Sequence, residues 1–201
     1  MANSATPLPE KLTADEFCDW VEQQTDGKFE LHAGVVVAMA PERTEHGRVK
    51  FAVAVAHRSA IADANAPCEA LVDSLGVRIN DDTLYIPDAL VQCGDRLALG
   101  ITETPDPTIV VEVLSPSTQS VDFRVKLEDY FKLASVHHYL VIDPLARRVI
   151  HHRRQTDDAF LTRILATGPL TLDPPGITIA IDDVFASLPP ESEEAAETGA
   201  T

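Results

Sequence analysis

At 201 residues with 45% apolar side chains, the chain has enough length and apolar content for one well-covered core and shows no sign of a second. Its formal charge of −16 works against a surface that grips phosphates, which takes lysine and arginine; four of the acids stand in the base-free segment "PPESEEAAETGAT", read as a disordered acidic tail (189–201) after a single domain over 8–188. There is no run of about eighteen apolar residues, and "MANSATPLPEKL" lacks the basic-then-apolar order of a signal peptide, so a cytoplasmic protein without a membrane span is expected.

In chain order, "LTADEFCDWVEQQ" sets Thr13 and Glu16 at capping-box spacing and places Phe17, Trp20 and Val21 on one face, which predicts a first helix. Strand-like residues on either side of Ala33-Gly34 in "FELHAGVVVAMAP" predict a hairpin. Thr44 then stands as the cap of a helix with Val49, Ala52, Val53 and Ala56 on one face. "EALVDSLGVRI", "LYIPDALVQC" and "TIVVEVLS" read as three strands, the last apolar enough for a central strand covered on both faces. Helical spacing returns from Val121 to Leu133. "HYLVIDP" and "RRVIHHRR" flank a turn at Pro144 to Arg147, and "FLTRILA" and "GITIAIDDVF" add late strands. The order α-ββ-α-βββ-α-ββ-ββ describes an α/β (α+β) fold, a mixed sheet with helices packed on it. Cys18, Cys68 and Cys93 are odd in number, lack CxxC spacing and sit among apolar neighbours, so reduced, buried thiols are expected.

Two carboxylates interrupt the strand-like runs. An isolated ionised carboxylate in an apolar interior costs several kcal/mol unless it is paired, so Asp88 and Glu112 need partners or a task. Taken alone, Asp88 after Pro87 reads as well as a turn residue. Glu112, enclosed by Ile109, Val110, Val111, Val113 and Leu114, has no such reading unless its strand is an edge. Two acids projecting from neighbouring strands toward one point would supply oxygen ligands to a hard divalent cation, as Mg²⁺ requires. Asp122, Lys126 and Tyr130 follow at i, i+4, i+8 on one helix face, with either a surface Asp122–Lys126 pair or a lysine at the acids as the outcome. His46 reads as a packing or capping residue or as a substrate contact. "RRVIHHRR" is the dense basic segment, a candidate grip on a DNA backbone or simply a solvent face. A zinc site on His137, His138, His151 and His152 is disfavoured, because adjacent strand residues point to opposite faces.

"YIPDALVQ", "VVEVLSPST", "DFRVKLEDYFKL" and "HYLVIDP" follow one another in the order and wording of the Uma-type restriction endonuclease family, a branch of the PD-(D/E)XK nuclease superfamily. "FELHAGVVVAM" and His46 resemble that family's amino-terminal pattern, so the likeness runs from Leu12 to Val184. It implies a restriction-endonuclease-like core, hydrolysis of DNA phosphodiester bonds with Mg²⁺ or Mn²⁺, and a homodimer. By the same resemblance Asp88 and Glu112 are the catalytic metal ligands and the Val113 carbonyl is a further one. The motif's lysine should fall at Leu114; its place is taken by Lys126 on the next helix. Glu30 resembles the branch's upstream acid, a catalytic position that either lies behind the metal ligands or serves another metal; His46 and Tyr130 are the expected substrate contacts. Ala33 and Leu140 depart from the pattern, where the family often has aspartate and tryptophan. The competing reading is a non-catalytic protein that keeps the nuclease fold as a binding or assembly module; the intact trio Asp88, Glu112 and Lys126 favours activity.

Overall fold

The computed structural model describes residues 11–115, 122–156 and 159–190, with Asp122 described by its backbone alone. Residues 8–10 of the expected domain, the "SPST" loop from residue 116 and the acidic tail from residue 191 lie outside the described residues.

The chain opens with α1 (Ala14–Val21), the hairpin strands β1 (Phe29–His32) and β2 (Val35–Ala38), and the long α2 (Thr44–Asp63). Six strands follow: β3 (Cys68–Val72), β4 (Gly76–Asn80), β5 (Thr83–Tyr85), β6 (Ala89–Cys93), β7 (Glu103–Thr104) and β8 (Pro107–Val113). After α3 (Asp122–Tyr130) come β9 (His138–Asp143), β10 (Arg148–Thr156), β11 (Ala159–Leu165), β12 (Pro169–Leu172), β13 (Ile177–Ala180) and α4 (Ile181–Phe185).

Local chemistry accounts for the early elements. The capping box forms as its spacing predicts, with the Thr13 amide donating to Glu16 Oε2 at 2.8 Å and the Glu16 amide to Thr13 Oγ1 at 3.3 Å. The β1–β2 turn places Ala33 and Gly34 at φ of 48° and 84°, the paired positive values a two-residue hairpin needs. α2 begins at Thr44 with Arg43 as its cap and no side-chain cap bond, so Thr44 is the first helical residue instead of the cap.

Two sheets position the site. One has the order β2-β1-β5-β4-β7, the other β11-β10-β9-β8-β6-β3, with β12 and β13 forming a separate pair. As its composition predicts, β8 is interior, antiparallel to β6 and parallel to β9, with α3 carrying the crossover between the parallel pair. Ile109, Val111 and Val113 join Val49 and Val53 of α2 in one core, whereas Val110 joins Tyr130, Tyr139 and Val141 in another. A smaller core of Ala14, Phe17, Leu31, Val36 and Leu84 lies under α1.

Four further expectations require correction. "LYIPDALVQC" is not one strand but divides at residues 86–88 into β5 and β6, which belong to different sheets. "EALVDSLGVRI" breaks at Asp73, whose φ is 50°, into β3 and β4, which belong to different sheets; "GITIAIDDVF" ends as the short helix α4. Cys68 and Cys93 are joined as a disulfide, not reduced, because the β3–β6 register sets them directly opposite with Cα atoms 4.0 Å apart. Cys18 remains a thiol, 3.4 Å from Glu103 Oε1, and burial followed by that carboxylate pushes its pKa up to about 11.

Candidate active site

The register Ala89↔Val111 of β6 and β8, continued by one residue, sets Asp88 opposite Glu112. Pro87, without an N–H for the ladder, ends β5's run and leaves Asp88 just before β6. Both acids line a cavity of ≈ 710 Å³, together with Glu30 from β1, His46 from α2, Val113 and Lys126 from α3. Residues from both sheets and two helices therefore meet on one void.

Asp88 is buried. Its Oδ2 accepts from the Val113 amide at 2.7 Å and lies 3.3 Å from His46 Nε2, and its Oδ1 is 3.2 Å from Lys50 Nζ. Burial alone would raise its pKa, but His46, the Val113 amide and Lys50 together outweigh burial and hold it below the ordinary aspartate value. His46 shows the converse: burial disfavours its charge, the Asp88 carboxylate more than compensates, and its pKa rises.

Glu112 and Glu30 share one cation. Lys126 Nζ lies 3.0 Å from Glu112 Oε1 and 2.9 Å from Glu30 Oε1, and all three side chains are at most 14% exposed. Glu30 also accepts from the Ile86 amide at 2.9 Å and lies 2.9 Å from His32 Nε2. These partners overcome the burial that would raise its pKa and hold it low. At Glu112 burial wins over Lys126, helped by repulsion from Glu30 and Asp88, and pushes the pKa up to about 8. One ammonium between two buried carboxylates thus favours the ionised form of Glu30 and the protonated form of Glu112. Tyr130, fully buried, reaches the cavity only through Glu112, whose Oε1 its hydroxyl approaches at 2.9 Å.

All seven residues singled out in the sequence are therefore at or against this cavity. A second set went unnoticed there: Lys50, 4% exposed, with its ammonium 2.7 Å from Asp73 Oδ2 and 2.5 Å from Glu42 Oε1, and Lys28, 2.9 Å from Asp73 Oδ2. Glu42, His46 and Lys50 stand at i, i+4, i+8, the spacing that drew attention to α3, so the signal was present. Asp73 lies in a loop and carries no such signal.

The basic segment is largely committed to the fold. Arg154 donates to the carbonyls of Phe131, Leu133 and Val136, and Arg153 to that of Asp173. The histidines do not converge: His138 Nδ1 meets His151 Nε2 at 2.9 Å, whereas His152 turns to Thr162. No helix among the described residues is long and apolar enough to cross a membrane.

The chain is 26% identical over 186 residues to the uncharacterized protein slr1290 of Synechocystis sp., covering 92% of this chain and 96% of that one. It is 28% identical over 156 residues to the uncharacterized protein sll1609 of the same organism, covering 75% and 85%. Its fold matches the crystal structure described as "a putative nuclease belonging to DUF820" from Anabaena variabilis, with a TM-score of 0.68, 20% identity and coverage of 87% of this chain and 98% of the other. The mixed sheets with flanking helices are thus of the restriction-endonuclease-like class. Residues 14–182 match the model of a family described as "Putative restriction endonuclease", and the chain belongs to that family, Uma2.

Proposed function

We propose that this protein is a metal-dependent endonuclease that hydrolyses DNA phosphodiester bonds. The observation that carries the reading is the opposition of Asp88 and Glu112 on one cavity wall with the Lys126 ammonium against Glu112.

The donor set suits a hard divalent cation such as Mg²⁺ or Mn²⁺. Two carboxylates face one cavity, and Glu112, whose pKa burial raises, is a group whose charged form a cation would favour. Asp88, Glu112 and the main chain of Val113 would hold it. When bound, such an ion neutralises phosphate oxygens and lowers the pKa of a coordinated water.

The chain's own residues do the rest. His46, Lys50 and the Val113 amide fix the Asp88 carboxylate, and Tyr130 and Lys126 fix that of Glu112. Lys126 brings an ammonium to the cavity, where a preorganised cation stabilises charge developing on an attacked phosphate. Glu30 anchors that ammonium at 2.9 Å. A second copy of the chain is the expected partner, and the domain is taken as 8–188.

The test is incubation of the purified protein with supercoiled and linear DNA, with Mg²⁺ or Mn²⁺ and with chelator. Cleavage abolished by chelator, by Asp88→Asn and by Glu112→Gln is expected. Intact DNA under every condition, or cleavage indifferent to all three, overturns the reading.

A further inference from the structure

We infer that the cavity takes its DNA as an unpaired strand, holding a base beside the attacked phosphate against an apolar collar of Val37, Leu114 and Phe123. The inference rests on the reading of the site as a nuclease centre and adds the form of the substrate.

The collar follows from three local registers. Val37 of β2 is the cross-strand partner of Glu30 on β1, so the two side chains stand on one face of the hairpin. Leu114 comes two residues after Glu112, and its amide donates to the Ile142 carbonyl at 2.7 Å, which carries the β8 ladder one residue further and turns Leu114 to the side of that acid. Phe123 precedes Lys126 by three residues on α3 and shares its face. All six line the cavity, so three of its charged groups each have an apolar neighbour on the same void.

Exposure orders them by depth. The side chains of Glu30, Asp88, Glu112 and Lys126 are at most 14% exposed, whereas Val37 is 41% exposed and is followed along the lining by exposed Ala38, Ala40 and Pro41. A phosphate that reaches the acids therefore passes apolar surface first. A double helix keeps its bases stacked inside and offers such a surface mainly sugar and phosphate. A single strand can turn its bases outward, and every base has a π-face that stacks on an aromatic side chain with little regard to sequence. Phe123 supplies the ring, with its centroid 6.3 Å from that of Tyr139 on the same lining. The volume of ≈ 710 Å³ lies within the range of about 300–1,000 Å³ that takes drug-sized molecules, enough for a nucleotide and too small for a duplex.

Charge points the same way. Among the described residues of the lining, the ammoniums of Lys28 and Lys126 stand with the carboxylates of Glu30, Glu42, Asp88 and Glu112. Both ammoniums are already held by acids, Lys28 by Asp73 at 2.9 Å and Lys126 by Glu30 and Glu112. Residues 116–122, which continue the chain from the lining, include no lysine or arginine. One divalent ion brings the ionised lining to neutrality, which suffices for one phosphate and not for the run of phosphates by which proteins grip duplex DNA. Affinity beyond that one phosphate falls to the bases.

The experiment uses the full chain with Mg²⁺ and one oligonucleotide sequence in three forms: single-stranded, fully paired, and paired except for a short internal bubble. The single strand should be cut at least tenfold faster than the duplex, and the third form within its bubble. An abasic nucleotide beside the cut should slow single-strand cleavage at least tenfold. Val37→Asn, at an exposed position, and Phe123→Ala should do the same while leaving the rise in melting temperature given by Mg²⁺ unchanged; if Phe123→Ala fails to fold, Val37→Asn decides. Binding is read separately by anisotropy with Glu112→Gln, which is expected not to cut. It should hold the single strand at least tenfold more tightly than the duplex and lose less than about tenfold between about 50 and 200 mM salt, as one or two phosphate contacts predict. Duplex cut as fast as the single strand, cleavage indifferent to the abasic nucleotide, or unchanged cleavage in both collar variants each overturns the inference and leaves the nuclease reading standing. All three forms left intact would overturn that reading instead, and binding then decides the inference: preference for the single strand upholds it, whereas equal affinity, absent binding or a salt loss of about a thousandfold overturns it.

Discussion

Lys50 Nζ lies 3.2 Å from Asp88 Oδ1 with both side chains only 5% exposed, an ion pair inside the protein that the α2 helix delivers to the end of β6. Removing one member of such a pair leaves the other as an uncompensated buried charge, at a cost of about 3–5 kcal/mol. Lys50→Met should therefore lower the unfolding free energy by about that amount in urea titrations. A loss below about 0.5 kcal/mol would mean that Asp88 is adequately served by His46 and the Val113 amide alone.

Lys126→Met should remove DNA cleavage. Because its ammonium also balances Glu30, the variant should lose stability by about 3–5 kcal/mol as well, so cleavage is to be compared at a temperature where both proteins are folded. Leu114 lies two residues beyond Glu112 and lines the same cavity, so Leu114→Lys added to Lys126→Met should restore part of the cleavage. Wild-type cleavage by Lys126→Met alone would reduce this lysine to a purely structural cation.

Glu112→Gln should separate stability from metal binding. The folded carboxyl has a pKa pushed up to about 8 against an ordinary 4.5, so the folded state binds the proton more tightly than the unfolded state between those values. Its contribution is fully present below pH 4.5 and is lost as pH rises to about 8. A neutral glutamine lacks that loss, so Glu112→Gln should be at least as stable as wild type near pH 8. The rise in melting temperature that Mg²⁺ gives wild type should be absent in the variant. A variant that melts higher with Mg²⁺ by as much as wild type would exclude Glu112 as a ligand.

His57 makes the opposite pH signature. Wholly buried in α2, it has its Nδ1 2.9 Å from the Val53 carbonyl oxygen, and burial lowers its pKa to about 4. The unfolded chain, with an ordinary histidine at 6.5, takes up the proton first on acidification, so stability is lost between pH 6.5 and about 4. The slope reaches about 1.4 kcal/mol per pH unit for this one group. His57→Leu should flatten the acid limb of the stability profile by that slope. An unchanged limb would mean that the imidazole is charged or hydrated in the fold.

Much of the site was legible because buried acids in apolar strands are costly and therefore conspicuous. Asp88 and Glu112 stood out on those grounds, whereas helical spacing left Lys126 open between a surface pair and the site, and only the family resemblance put it at the acids. Lys50 was missed despite the same spacing to Glu42 and His46, because α2 mixes alanines and charges around its whole circumference and marks no polar face. The cysteine pairing depends on which strands are neighbours. β3 reads as continuous with β4 until Asp73 turns the chain into the other sheet, and no local pattern announces that Cys68 will face Cys93. The Glu30–Lys126 contact likewise joins two elements whose proximity only the docking of both sheets creates.

That contact also fixes when the site comes into being. Glu30 and Lys126 are 96 residues apart in sequence, and the first belongs to the five-stranded sheet while Glu112 belongs to the six-stranded one. A chain emerging from the ribosome exposes Glu30 and Asp88 long before Lys126, with the two sheets unjoined and β9 not yet made to close the far side of β8. Contacts of such long separation form late, after the entropy of bringing their ends together has been overcome. The cluster is thus completed late in folding, and a polypeptide interrupted anywhere before α3 lacks the lysine that the proposed reaction requires.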